Sequence, residues 1–182
     1  LMIFFAGGAM MLDILLIFNY QMEHGSIFLY FGLASSLFML GIFAGGAAFR
    51  RLCKEYSIPL LGAGLFISSL IFYFCGQAPT LFYGLFFFVC GFFPGALFAF
   101  CAAKFKKSGL SDAKSGAVLT ASDCIGGAAG GIAAALLLLP FAGTWGIQAG
   151  VLAMALYAIS GAFLFPLFGG KKSAIKGLLL VI

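Results

Sequence analysis

The run Gly116-Ala-Val-Leu-Thr-Ala-Ser-Asp123-Cys-Ile-Gly126-Gly127-Ala-Ala-Gly130-Gly131-Ile-Ala-Ala-Ala-Leu-Leu-Leu-Leu139 holds 24 residues and one charged group, Asp123. As a helix rising ~1.5 Å per residue it reaches about 36 Å, enough to cross a hydrocarbon core of ~30 Å. Its small residues recur at three and four, and no period of two is present, so a helix fits and a barrel strand does not. The chain around it has the same character. Of 182 residues, 64% are hydrophobic and 8% are charged, and the mean hydropathy is +1.19. A water-facing domain carries about a quarter charged residues, so these values exclude a soluble enzyme and predict an all-α, polytopic membrane helix bundle.

Five further apolar runs flank the first: Leu1 to Tyr20, Ile27 to Phe49, Ile58 to Phe74, Leu81 to Ala103, and Ile147 to Phe168. Together they predict six transmembrane spans in a single membrane domain over residues 1–170. Residues 171–182 form a basic and then apolar tail, read as interfacial or as the start of a further helix. The chain opens on Leu1-Met2 with no basic region or cleavage site. That reads as a chain without a signal peptide, or as a piece of a longer protein.

The basic residues give the orientation. Arg50, Arg51 and Lys54 follow the second run; Lys104, Lys106, Lys107 and Lys114 follow the fourth; Lys171, Lys172 and Lys176 follow the sixth. The connections 21–26, 75–80 and 140–146 hold none. By the positive-inside rule the basic loops are cytoplasmic, which places the chain in the inner (plasma) membrane with both ends of the segment in the cytoplasm. Topology thus accounts for the net charge of +5, and nucleic acid is not an expected partner. The lipid bilayer is.

Two acids fall inside spans, Asp13 and Asp123, and no intramembrane Lys or Arg is there to pair with them. An ionised Asp at mid-bilayer costs about 2.5–3.5 kcal/mol on insertion scales, so each is a candidate proton- or cation-binding group. The alternative is an Asp hydrogen-bonded to Ser122, Thr120 or free backbone groups. Gly116, Thr120, Asp123, Gly127, Gly130 and Ala134 fall at steps of three or four and read as one face. Gly126 with Gly130 and Gly127 with Gly131 form overlapping small-xxx-small pairs that let another helix approach closely. Gly41 and Gly45 repeat that pattern in the second span, and Gly91, Pro94 and Gly95 interrupt the fourth. Divided three plus three, the spans place these features in corresponding helices, as in nested inverted repeats.

On the outer side, Gln21, Glu23 and His24 form the most polar connection, with Gln21 a candidate binding residue, and Tyr20 and Trp145 read as interfacial anchors. The five cysteines make no C-x-x-C pattern and the histidine is single, so no metal site or cofactor is expected. No nucleophile–base pair, carboxylate pair or phosphate loop can be assembled, and no enzyme activity is expected of this segment.

Gln21, Gly25 to Tyr30 and Phe38-Met-Leu-Gly-Ile-Phe-Ala-Gly-Gly46 resemble a helix in the membrane part of the bacterial fused major facilitator/spermidine synthase-like proteins. Gly91-Phe-Phe-Pro94, Gly116, Ala121-Ser-Asp-Cys-Ile-Gly-Gly-Ala-Ala-Gly130, Leu139-Pro140 and Gly143 extend the resemblance over residues 18–143. The resemblance implies a six-helix, major-facilitator-like half in which Asp123 is a motif residue and spans 2 and 5 face a second half. It also implies an aminopropyltransferase-like domain outside this segment, whose nucleotide-binding glycines and catalytic aspartates are absent here. Three functions follow as expectations. The first is a membrane module that packs through spans 2 and 5 against a second half, a homo-oligomer or a partner subunit, and transports a small amine or cation. The second is a non-catalytic anchor or scaffold subunit of a larger, redox-type membrane complex. The third is the membrane part of a fused spermidine synthase-like protein.

Overall fold

A computed structural model of the chain describes residues 2–25, 28–52, 64, 67–72, 80–107 and 111–168. Among them all regular structure is helical. The elements are α1 (Met2–His24), α2 (Phe28–Leu52), α3 (Thr80–Lys107), α4 (Asp112–Ile132), a π-helical stretch (Ala133–Leu138) and α5 (Leu139–Phe168). Residues 67–72 are also helical. The rest of the expected third span, apart from residue 64, and the tail 171–182 lie outside the described residues.

Among the described residues, four stretches are long and apolar enough to cross a membrane: Met2–His24, Tyr30–Phe49, Leu81–Ala103 and Ala113–Tyr157. The last has 45 residues, about 67 Å if straight, which is twice a bilayer core. It holds the fifth apolar run and the first half of the sixth, and it does not run straight. Gly143 has φ 61° and ψ −157°, a region essentially closed to residues with a Cβ. The two arms on either side of it fold back together: a Cβ placed on Gly7 would lie 3.2 Å from the Gly126 carbonyl oxygen and 3.4 Å from the Met154 sulfur. The π-helical stretch ends two residues before Pro140. A proline ring collides with the carbonyl four residues back in an α-helix, and the wider turn relieves that collision. Gly143→Ala is expected to cost about 1–3 kcal/mol, read as a lower unfolding temperature in detergent.

At the other end, α1 stops at Gly25, whose φ is +72° and whose N–H donates to the Gln21 carbonyl at 3.0 Å. This left-handed cap turns the chain into α2.

Two close helix pairs build the bundle. In the first, a Cβ on Gly41 or Gly45 of α2 would overlap the Phe88 or Phe92 carbonyl of α3, and one on Gly91 or Gly95 of α3 would overlap the Phe38 or Ile42 carbonyl of α2. In the second, a Cβ on Gly126 or Gly130 of α4 would overlap the Ile3 or Gly7 carbonyl of α1. Numbers rise together in both, so each pair is parallel. They are also the same contact. Adding 85 to Ile3 and Gly7 gives Phe88 and Phe92, and subtracting 85 from Gly126 and Gly130 gives Gly41 and Gly45. Burial follows the same shift: Met2, Phe5, Leu12, Leu15, Leu16 and Tyr20 become Phe87, Cys90, Leu97, Phe100, Cys101 and Phe105, all buried. Because Tyr20 near the end of α1 meets Tyr83 near the start of α3 at 5.2 Å, those two helices run in opposite senses. The α1–α4 and α3–α2 pairs are therefore inverted copies of one unit.

Candidate functional site

Along α1, Asp13, Ile17, Tyr20 and His24 follow steps of four, three and four and share one face. Asp13 and Ile17 line a pocket of about 80 Å³ with Phe31, Ser35 and Phe38 of α2 and Phe87 of α3. This space is large enough to hold water, and Asp13 and Ser35 on its lining supply polar groups that water or a small cation requires. Asp13 is half-buried, and among the described residues its carboxyl has no hydrogen-bond partner. A second pocket, of about 40 Å³, adjoins the first through the shared residues Ile17, Phe31, Ala34 and Phe87, and adds Tyr20, Tyr30 and Tyr83.

Rings close the end of this route. The Tyr20 and His24 rings stack at 4.6 Å and 6°, Tyr30 lies 5.2 Å from Tyr20, and Tyr83 meets Tyr20 edge-on. The Tyr83 hydroxyl pairs with the Glu23 carboxylate. Ring faces attract cations, and a carboxylate beside them adds to the attraction. A small positively charged molecule would thus meet Glu23 and the tyrosines first and Asp13 about three helical turns deeper along α1.

Asp123 is placed differently. In the α1–α4 pair its level is that of the start of α1, some 9–13 residues, or roughly 14–20 Å, from Asp13. The two acids cannot hold one ion. The face read from the sequence also divides: Gly130 abuts α1, but nothing comes within 4 Å of a Cβ on Gly116 or Gly127, and Thr120 is exposed. Gly127 sits three residues from Gly130, about 60° around the helix, which carries it off the contact. Asp123 is half-buried and sits about 20° around the helix from Gly130, nearer to the contact than Gly127 is. The Ser122 hydroxyl donates to the Val118 carbonyl at 2.8 Å and so spends its proton within the helix. Gly131 meets α1 only through the side chains of Met10 and Ile14. Gln21 is exposed on the last turn of α1.

Comparison with protein families, characterised proteins and solved structures finds no match for this chain. The residues and their geometry carry the functional reading.

One buried polar contact escapes sequence reading. The Gln148 amide of α5 donates to the Ser69 carbonyl at 2.8 Å and to the Ser69 hydroxyl at 2.7 Å, with Gln148 and Ser69 both buried. It ties the described part of the third apolar run to the sixth. Ser68-Ser69 in mid-run, with Gln148 two residues into another, was the available signal. Gln148→Leu strips Ser69 of this donor and is expected to cost about 0.6–2 kcal/mol, measured by thermal unfolding in detergent. No group of three His, Cys, Asp or Glu able to hold a metal occurs among the described residues.

Proposed function

We propose that this chain is a membrane module, built as a six-helix half of the major-facilitator kind, that binds and moves a small organic amine or cation with Asp13 as the binding acid. The observation that carries this reading is the pair of adjoining pockets, one lined by three tyrosines and the other by an intramembrane carboxyl without a hydrogen-bond partner among the described residues. The inverted 85-residue relation between the helix pairs supports the architecture, since such repeats place binding sites among their helices. In this reading the chain lies in the inner membrane with its basic loops in the cytoplasm, and a second half or partner subunit covers the outer faces of α2 and α4. The resemblance to fused major facilitator/spermidine synthase-like proteins is consistent with an amine as cargo.

The test is uptake of radiolabelled methylammonium by proteoliposomes. The wild-type chain is expected to exceed empty liposomes, Asp13→Asn to abolish the excess while still inserting, and Asp123→Asn to retain it. Unchanged uptake by Asp13→Asn would sink the assignment.

The scaffold reading draws on the large apolar side chains exposed on α2 and α4, among them Phe43, Met39 and Ile125. It is tested at Gly127, where an added Cβ has nothing within 4 Å. A partner lost on purification of Gly127→Leu, with uptake absent from the wild type, favours that reading.

A further inference from the structure

Asp13 is not the only polar group in its pocket without a partner. Ser36, Ser115 and Ser122 each donate to the carbonyl four residues back, those of Gly32, Ser111 and Val118, at 2.8, 3.1 and 2.8 Å. A serine in a span ordinarily does so, because the hydrocarbon offers its proton no water. Ser35 stands at the same spacing from the Phe31 carbonyl on α2, yet its hydroxyl makes no hydrogen bond among the described residues. It lines the pocket of about 80 Å³ that Asp13 lines. The rest of that lining, Ile17, Phe31, Ala34, Phe38, Met39 and Phe87, is apolar.

One carboxyl and one hydroxyl in an otherwise apolar pocket favour one class of cation. A primary ammonium carries three N–H donors and a hydrocarbon part. The carboxylate takes a charge-assisted N–H bond, the hydroxyl oxygen accepts another, and the alkyl part meets the apolar lining. Potassium needs oxygens on every side to replace its hydration shell, and among the lining side chains only Asp13 and Ser35 carry any. A quaternary ammonium has no N–H to donate and leaves the hydroxyl oxygen unanswered.

We propose that Ser35 is the second binding group of the Asp13 site and makes it selective for small primary ammonium ions over potassium and quaternary ammonium ions. The inference rests on the reading of Asp13 as the binding acid and narrows what that acid receives. Ser36, its neighbour in sequence, supplies the internal comparison, because its hydroxyl is already committed to the Gly32 carbonyl.

The experiment labels Asp13 with a hydrophobic carbodiimide in the whole chain, reconstituted in proteoliposomes, at rising concentrations of methylammonium, tetramethylammonium or potassium. In the wild type, methylammonium is expected to protect Asp13 at concentrations about ten-fold below the other two, the effect of one hydrogen bond to a charged group. Potassium is smaller than methylammonium and tetramethylammonium larger, so size does not produce both rejections. Ser35→Ala is expected to raise the half-protecting concentration of methylammonium about ten-fold and to leave those of the other two ions unchanged. Ser35→Thr, which keeps the hydroxyl, and Ser36→Ala should match the wild type. Methylammonium protection unchanged in Ser35→Ala, or weakened equally in Ser36→Ala, overturns the role of Ser35 while the reading of Asp13 stands. So does equal protection by the three ions in the wild type. Protection by none of them removes the Asp13 reading and this inference together.

Discussion

Gly130→Leu is expected to dismantle the bundle, while Gly127→Leu, three residues away, leaves it standing. A Cβ on Gly130 overlaps the Gly7 carbonyl oxygen and lies 2.6 and 2.8 Å from the Gly7 Cα and carbonyl carbon. These are backbone atoms of α1 and cannot rotate aside, so a leucine there separates α1 from α4 along their contact. In a bilayer the solvent is as apolar as the side chains, and helix association rests on close packing that a gap forfeits. Overpacking against side chains costs about 1–3 kcal/mol; against backbone the loss should exceed about 3 kcal/mol, seen as aggregation or a collapsed unfolding temperature in detergent. At Gly127 an added Cβ has nothing within 4 Å, and the change should stay within about 0.5 kcal/mol. The inverted relation adds a second condition: Gly45→Leu, at the equivalent position against Phe92, should be as damaging as Gly130→Leu. Equal losses at Gly45 and Gly130 with Gly127 unaffected would be hard to obtain from a bundle packed in any other register.

Asp13→Leu is expected to make the protein more stable and inactive at once. A carboxyl in a span with no cation beside it is held at a cost of about 2.5–3.5 kcal/mol on insertion scales, and Asp13 has no hydrogen-bond partner among the described residues to offset it. Leucine is close to aspartate in size, and the lining offered by Ile17, Phe31, Phe38 and Phe87 suits it. A rise in unfolding temperature worth about 1–3 kcal/mol, together with lost methylammonium uptake, is the signature of an acid kept for binding. A fall in stability would mean that Asp13 anchors the fold through contacts of its own.

The glycine spacings were legible in the sequence, but which helix each glycine meets was not. Gly41 and Gly45 announce a close approach, and nothing in a linear pattern says that the approaching helix is α3. The three-plus-three correspondence was legible in the glycine stripes, but its 85-residue register was not, because Ile3 and Gly7 on one side stand where Phe88 and Phe92 stand on the other and only backbone carbonyl positions are shared. Asp13 and Asp123 look alike as single acids in apolar runs. Their difference comes from tertiary packing, which draws Phe31, Ser35 and Phe87 around Asp13 and sets Asp123 at the level of the start of α1. The stripe through Asp123 was read too broadly, since steps of three and four drift around a helix and joined Gly127 to Gly130 across about 60°. Gln148 went unmarked because a glutamine near the start of a span reads as interfacial, and its pairing with Ser69 is a contact across 79 residues. The fifth and sixth runs were separable from Pro140 and Gly143, the residues that widen and then break the helix there.

The central claim is that the Asp13 pocket receives a small cation, and covalent labelling tests it most directly. A hydrophobic carbodiimide modifies carboxyl groups in apolar surroundings, and peptide mass spectrometry reports which aspartate carries the adduct. The account predicts modification at Asp13 that falls progressively as methylammonium is added, while any modification of Asp123 stays constant. Modification of Asp13 that is indifferent to methylammonium would contradict it.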